Sequence, residues 1–148
     1  MKNKFPLIIF FFLSSCANQP IENLNINAEL IKGCWQFFDS DSIYTEMEIS
    51  DSVYYFVHAP MNIFRAEPSS YSLDSSGLYL KLLYTEGDVW KIYESIMPDS
   101  FTLKMSNEDE GQFICKRIYP KMKLSEWKEE NKLVYQSAFL EREKKFNK

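Results

Sequence analysis

The chain has 148 residues, a formal net charge of −4 and an aromatic content of 16%, with only 4 glycines. A chain of this length suits one domain, and its acidic charge argues against nucleic acid as a partner because phosphate backbones repel it. Abundant Phe and Tyr with scarce Gly favour a β-rich fold around one apolar core.

The N-terminus has the three parts of a secretory signal. A short basic region and an apolar run are followed by small residues and a cysteine: Lys2, Lys4, residues 5–13, Ser14, Ser15 and Cys16. The apolar run is too short for a membrane-spanning helix, which needs about 20 residues. We therefore predict a cleaved signal peptide over residues 1–15. The alternatives are an ordinary signal followed by a chance cysteine, and an uncleaved anchor.

The junction Leu13-Ser14-Ser15-Cys16 resembles the lipobox of bacterial lipoproteins. In that family the cysteine thiol is diacylated and the chain is cut just before it, so Cys16 matches the acyl acceptor and the new first residue. The resemblance implies that palmitate-like chains anchor the protein in the bacterial cell envelope, at roughly 0.8 kcal/mol per buried methylene. Ala17 instead of an aspartate implies the outer membrane, and the neutral Asn18-Gln19-Pro20 implies its periplasmic face.

Residues 16–29 show no periodicity, and we interpret them as a lipidated tether ahead of a domain over 30–148. The domain opens with a predicted strand over 31–38. Alternating side chains over 43–49, a turn and a returning strand over 53–58 predict a hairpin. One face of its first strand carries Thr45, Met47 and Ile49, and the other carries Tyr44, Glu46 and Glu48.

Further short strands follow a proline-bracketed segment, 61–67, which is an edge strand or a loop. They are predicted at 71–74, 78–84, 89–96, 100–105 and 112–118. Short strands with turn signals every 8 to 12 residues or so predict an antiparallel meander, sandwich or barrel.

The last segment changes to helical periodicity. Ser125 can cap a helix, and acidic residues early with basic residues late suit the helix dipole. One stripe carries the apolar side chains Leu124, Trp127, Val134, Tyr135, Ala138 and Phe139. We predict an amphipathic helix at about 124–146, packed on its own sheet, with a membrane-surface or partner helix as the alternative.

Gly33-Cys34-Trp35, followed by antiparallel strands and a C-terminal helix, resembles the lipocalin-like small barrels over about 30–146. The resemblance implies a mainly β fold, an antiparallel up-and-down barrel of about eight strands with a C-terminal helix. It also implies structural roles for Gly33 and Trp35, with Trp35 plugging the closed end. Arg117 is the match for the arginine that stacks on this indole, as a guanidinium can.

The two remaining cysteines suggest a competing arrangement. Cys34 and Cys115 would share an oxidising compartment, and a closed barrel makes its first and last strands neighbours, which favours a disulfide. Side chains alternate across a strand, so regular strands cannot hold this bridge and the Trp35–Arg117 stack together without a bulge. Both predictions stay open, with two buried thiols as the alternative to the bridge.

The sequence contains no catalytic constellation. His58, the only histidine, stands at a predicted strand end, and Glu46 and Glu48 are interpreted as exposed strand carboxylates. Asp39-Ser40-Asp41 lacks the glycine and distal glutamate of a calcium loop and is interpreted as a hairpin turn. No cluster has zinc spacing. We expect no enzymatic activity, no metal and no cofactor.

Two functions remain. A barrel with an aromatic interior can bind a small apolar ligand, and the candidate ligand-binding residues are Met47, Tyr55, Tyr84, Trp90 and Phe101, with Phe64 and Tyr79 as further inward candidates. Their alternative role is core filling. The second function is a protein-binding lipoprotein, an enzyme inhibitor or envelope assembly partner, whose acidic loops, including 107–110, meet a basic protein. A cavity above about 300 Å³ would favour the ligand, and a filled barrel with a flat acidic rim the protein.

Overall fold

The computed structural model describes residues 26–58, 68–84 and 89–146. The predicted signal peptide, Cys16 and most of the predicted tether lie outside these residues, as does the segment 61–67 with Phe64. Within the described ranges, no helix is long and apolar enough to cross a bilayer.

Eight antiparallel strands close into one barrel in sequence order, with β1 paired to both β2 and β8. The strands are β1 (Gly33–Phe38), β2 (Tyr44–Ile49), β3 (Val53–His58), β4 (Ser69–Leu73), β5 (Tyr79–Tyr84), β6 (Val89–Asp99), β7 (Thr102–Asn107) and β8 (Gly111–Ile118). Helix α1 (Ala28–Ile31) precedes them, and α2 (Lys132–Phe146) follows after 3₁₀ turns at Leu124–Glu126 and Glu129–Asn131. The predicted mainly β, up-and-down barrel with a C-terminal helix is confirmed.

One end of the barrel is closed by α1 and by a stack of two side chains. The Arg117 guanidinium lies 4.2 Å from the centre of the Trp35 ring and donates a hydrogen bond to the Lys32 carbonyl at 2.6 Å. The indole N–H of Trp35 donates to the Ile31 carbonyl at 2.9 Å. Gly33 has a φ of 126°, and a Cβ there would lie 2.6 Å from Arg117 Nη1, so the glycine makes room for the guanidinium.

The N-terminal segment also packs on this closed end. Residues 26–29, which the sequence pattern placed in the tether, include the buried Ile26. Its carbonyl lies against the β4–β5 turn, where a Cβ on Gly77 would come within 2.2 Å of it. The chain therefore enters the barrel at the closed end, and the opposite end is left for a cavity.

The cysteine pairing proposed as an alternative to the stack is absent. Cys34 and Cys115 are both free and buried. The Cys115 side chain packs in the barrel core, whereas Cys34 lies on the opposite face of its strand from Trp35. The structure contradicts the possible disulfide because β1 and β8 pair in regular register, which brings Trp35 and Arg117 together and leaves Cys34 and Cys115 on opposite faces.

Strand β2 is buried on both faces, which corrects the interpretation of Glu46 and Glu48 as exposed. Glu46 is only 1% exposed and accepts hydrogen bonds from the hydroxyls of Tyr44 at 2.7 Å and Tyr135 at 2.9 Å. The Arg142 guanidinium donates to it from Nε at 2.7 Å and Nη2 at 2.9 Å. The polar face of β2 is therefore covered by α2, which the strand's own alternation could not reveal.

The C-terminal segment begins differently from the sequence prediction. Ser125 does not cap a long helix: its backbone N–H and hydroxyl donate to the Glu48 carboxylate at 2.9 and 2.7 Å, and α2 begins only at Lys132. Tyr135 and Phe139 are buried against β2, as the predicted stripe requires, but Val134 is exposed. The two glutamates of β2 thus hold this segment on the barrel at two points.

Candidate functional site

The barrel holds a cavity of about 340 Å³ at the end opposite α1. Six aromatic side chains line it: Phe37, Tyr54, Phe56, Tyr84, Tyr93 and Phe113. Met47, Leu82 and Met105 complete the apolar wall. Polar side chains contribute at the mouth and along one wall, among them Asp39, Asp41, Thr45, His58 and Glu110.

The pleat of the strands explains which residues reach this cavity. Side chains two positions apart face the same side of a strand, so β3 directs Tyr54, Phe56 and His58 to the lumen. By the same rule β5 directs Leu82 and Tyr84 inward. Below them Trp35 fills the barrel, so the described residues close the lumen at the α1 end.

The aromatic rings also contact one another between different strands of the barrel. The ring centres of Phe37 and Phe113 are 5.7 Å apart, and those of Phe56 and Tyr84 are 5.9 Å apart. Tyr93 lies 6.1 Å from Phe113 by the same measure. Such spacings are typical of favourable tilted aromatic pairs. The wall is therefore preorganised, and a ligand would not have to order these side chains on binding.

One wall of the cavity carries a hydrogen-bonded polar cluster. Glu110, on the β7–β8 turn, points back into the barrel, where the Tyr93 hydroxyl donates to its Oε2 at 2.5 Å and Lys91 Nζ donates to its Oε1. The Tyr84 hydroxyl lies 3.1 Å from that of Tyr93. Lys91 Nζ also lies 4.4 Å from the centre of the Tyr84 ring. We call Tyr84, Lys91, Tyr93 and Glu110 the polar wall.

The charge states within the polar wall follow from these contacts. Burial acts to raise the pKa of Glu110, but the hydrogen bonds from Lys91 and Tyr93 outweigh it and hold that pKa below its usual range. Burial, reinforced by the Glu110 contact, raises the pKa of Tyr93, and burial raises that of Tyr84. At neutral pH the carboxyl is therefore an anion and both phenols keep their protons.

The mouth carries the other polar groups. Asp39 Oδ1 accepts from the backbone N–H of Asp41 at 3.0 Å and of Ile43 at 2.8 Å, which forms the predicted hairpin turn. The His58 ring stacks on Phe56 at the end of β3, with centres 6.1 Å apart. Over the described ranges, no group of His, Cys, Asp or Glu is placed to hold a metal ion.

Two of the five candidate ligand-binding residues, Met47 and Tyr84, line the cavity. Tyr55 does not, since it packs outside the barrel with the cluster beneath α2. Trp90 is 48% exposed on the outer face of β6, and Phe101 is 59% exposed on the β6–β7 turn at the closed end. The prediction that these three side chains face the interior is wrong. Tyr55 and Trp90 point to the outer face of the barrel, and Phe101 lies in a turn at the closed end.

Tyr79, the other inward candidate within the described residues, is exposed on the outside as well. The sequence interpretation missed Tyr54, Phe56 and Tyr93, and above all the inward turn of Glu110. Met47 pairs with Phe56 on β3, so the two side chains share a face of the sheet. Alternation along β3 then places Tyr54 on the same face as Phe56, which would have identified both residues. Nothing in the acidic turn signals that Glu110 faces inward.

Comparisons with protein-family models, with curated proteins and with solved structures gave no match to this chain.

Proposed function

We propose that this protein is a lipid-anchored envelope lipoprotein that binds a small apolar ligand inside its barrel without transforming it. The observation that carries the proposal is the cavity of about 340 Å³ with an aromatic wall and a few convergent polar groups. Ligand pockets of proteins have these features and begin at about 300 Å³. A barrel filled by its own side chains would not offer this space.

The arrangement suits binding for two physical reasons. An apolar ligand removes its own surface and that of the wall from water, which contributes roughly 25 cal/mol per Å² of apolar area. The tilted ring pairs, such as Phe37 with Phe113, are already in place before binding. Little side-chain entropy is then lost when the ligand enters, so more of the free energy gained by burying apolar surface contributes to affinity.

The anchoring part of the proposal depends on Cys16 and its lipobox-like neighbours. Acylation at Cys16 would fix the chain to the envelope, and residues 17–25 would connect it to the closed end, where Ile26 packs. The cavity is at the far end of the barrel from that attachment. Such a protein could take up a ligand from the aqueous side of the membrane.

A second candidate is the protein-binding role, which the outer surface of the barrel supports. Trp90 and Ile92 on β6 and Tyr79 on β5 are each about half exposed on adjoining strands. Glu108 and Asp109 remain exposed on the β7–β8 turn for a basic partner. The Glu110 side chain, however, points into the lumen, where it accepts a hydrogen bond from Tyr93, and it does not add to that acidic surface.

Native mass spectrometry of the protein purified from its own membrane tests the first proposal. Leu82 and Leu83 are neighbours on β5, but only Leu82 lines the cavity. Leu82→Trp should fill the lumen, and Leu83→Trp adds the same side chain outside it. We expect a bound small molecule on the wild type and on Leu83→Trp, and none on Leu82→Trp. Wild type without an adduct, or Leu82→Trp with the same adduct, would contradict the proposal.

A further inference from the structure

We infer that the ligand is an amphiphilic amine: an apolar body with a positively charged, hydrogen-bond-donating head, in preference to a fatty acid. This inference rests on the proposed ligand-binding function and specifies the chemistry of the same cavity. It is carried by the direction of the hydrogen bonds along the polar wall.

The hydroxyl hydrogen of Tyr93 is donated to Glu110. An ionised carboxylate can only accept hydrogen bonds, so the contact of 2.5 Å between Tyr93 and Glu110 requires the phenol to donate. A phenol hydroxyl carries one hydrogen, and the hydrogen of the Tyr93 hydroxyl is used in the bond to Glu110. The hydroxyl of Tyr93 can then only accept from its other neighbour.

The hydroxyl hydrogen of Tyr84 is donated to Tyr93. Its hydroxyl lies 3.1 Å from that of Tyr93, and only one of the two can donate. Because Tyr93 donates to Glu110, Tyr84 donates to Tyr93. The hydroxyl oxygen of Tyr84, a residue that lines the cavity, is left with lone pairs alone for any ligand. A ligand head that meets Tyr84 must therefore supply the hydrogen.

The described charged groups around the cavity carry an excess of negative charge. Lys91 is the cation of the polar wall, and it is paired with Glu110 and lies over the Tyr84 ring. Asp39, Asp41 and Glu110 line the cavity, so the described residues of the polar wall and mouth include three carboxylates and one lysine, which is paired with Glu110. A carboxylate head would meet lone pairs and excess negative charge, whereas an ammonium head would meet acceptors.

The aromatic wall adds a place for a cation. The Tyr84 ring already holds the Lys91 ammonium at 4.4 Å from its centre, and Phe56 lies 5.9 Å from Tyr84 between ring centres. Aromatic faces attract ammonium groups, more strongly when water is excluded. The Phe56 ring, beside that of Tyr84, therefore offers a further aromatic face to an ammonium in the lumen.

Calorimetric titration of the full-length protein in phospholipid nanodiscs tests this inference, with empty nanodiscs subtracted. The probes are phenylpropylamine, phenylpropanol and phenylpropanoate, which share one apolar body and differ in the head. We expect the amine to bind at least about tenfold more tightly than the carboxylate, the range for a hydrogen bond to a charged group. Equal or tighter carboxylate binding would overturn the inference and leave the proposed function standing. Binding of none of the three would overturn both.

A matched pair of variants tests the role of Tyr84. Tyr84→Phe keeps the ring and removes the acceptor, so the amine-to-carboxylate ratio should fall toward one. Tyr54→Phe is the control, because Tyr54 also lines the cavity but donates its hydrogen bond to the Leu83 carbonyl at 2.9 Å. It should keep the wild-type ratio. A ratio unchanged in Tyr84→Phe would overturn the assignment of the ligand head to Tyr84.

Discussion

Trp35 and Arg117 stand directly opposite each other on β1 and β8, with the guanidinium 4.2 Å from the centre of the indole ring. This pair joins the first and last strands of the barrel and fills its lumen at one end. Arg117 also donates to backbone carbonyls of residues before β1, which ties α1 to the same end. The cavity at the other end exists because the plug occupies only one part of the lumen.

The first prediction concerns Gly33, which allows this stack. Gly33→Ala should lower the free energy of unfolding by about 2 to 3 kcal/mol, since the new Cβ would lie 2.6 Å from Arg117 Nη1 at a positive φ. Gly111→Ala is the control: its φ is also positive, but a Cβ there meets nothing within 4 Å. It should cost only about 1 kcal/mol. Urea denaturation measures both, and equal losses would contradict the account of the stack.

The second prediction concerns the carboxylate beneath α2. Glu46→Gln should cost roughly 2 to 3 kcal/mol in unfolding free energy, because the buried Arg142–Glu46 pair loses its anion while Arg142 stays only 20% exposed. Glu94→Gln, on the exposed face of β6, should change stability by less than about 0.5 kcal/mol. Thermal and urea unfolding should agree on this order. A Glu46→Gln protein as stable as Glu94→Gln would show that the helix is held by its apolar side chains alone.

The third prediction concerns pH and Glu110. The folded pKa of Glu110 is depressed, so its contribution to stability is present above the unfolded value, about 4.3, and is lost as the pH falls through the folded pKa. The side chains that hydrogen-bond to its carboxyl group are those of Lys91, Tyr93 and Asn107. Wild type should exceed Glu110→Gln in unfolding free energy at pH 7, and the difference should shrink toward pH 3. A constant difference across this range would contradict the assigned interaction.

The fourth prediction concerns the cysteines. Burial raises the pKa of the Cys34 thiol to about 12 and also raises that of Cys115, so both should react slowly with iodoacetamide in the folded protein near pH 8. In urea without reductant both should be alkylated at once. Intact-mass analysis counts the adducts. A pair of cysteines that reacts only after reduction would establish the disulfide that the structure lacks.

The fifth prediction concerns the lipid anchor. Cys16→Ser removes the proposed acyl acceptor, so the protein should leave the membrane fraction or remain as an uncut precursor. Fractionation and intact-mass analysis distinguish these products from the acylated wild type. Unchanged membrane association and processing in Cys16→Ser would contradict the lipoprotein proposal and would leave the cavity unaffected.

The strand order could be predicted because its signals are local. Alternation over 43–49, the turn at residues 50–52 and the return over 53–58 lie within one short stretch, and the observed strands β2 and β3 match them closely. The sequence pattern predicts that the strand ends at residue 96, but β6 continues through Pro98 to Asp99, with a register shift between Ile96 and Asp99. A strand can accept a proline at such an irregularity.

The facing of the cavity residues could not be predicted, because some strands are aromatic or apolar on both faces. In β3, Tyr54 points inward and Tyr55 outward, and nothing in their chemistry separates them. The burial of Glu46 arises from Arg142, 96 positions away, so the local pattern carries no trace of it. The fold could therefore be predicted, whereas three of the five candidate ligand-binding residues were assigned to the wrong place.

The most direct test of a ligand in the lumen is methyl NMR of the methionines during titration with phenylpropylamine. Met47 and Met105 line the cavity, whereas Met122 packs outside the barrel with the cluster beneath α2. We predict saturable shifts of the Met47 and Met105 methyl resonances, with Met122 unchanged. Binding that shifts Met122 and leaves Met47 and Met105 in place would contradict a site within the barrel.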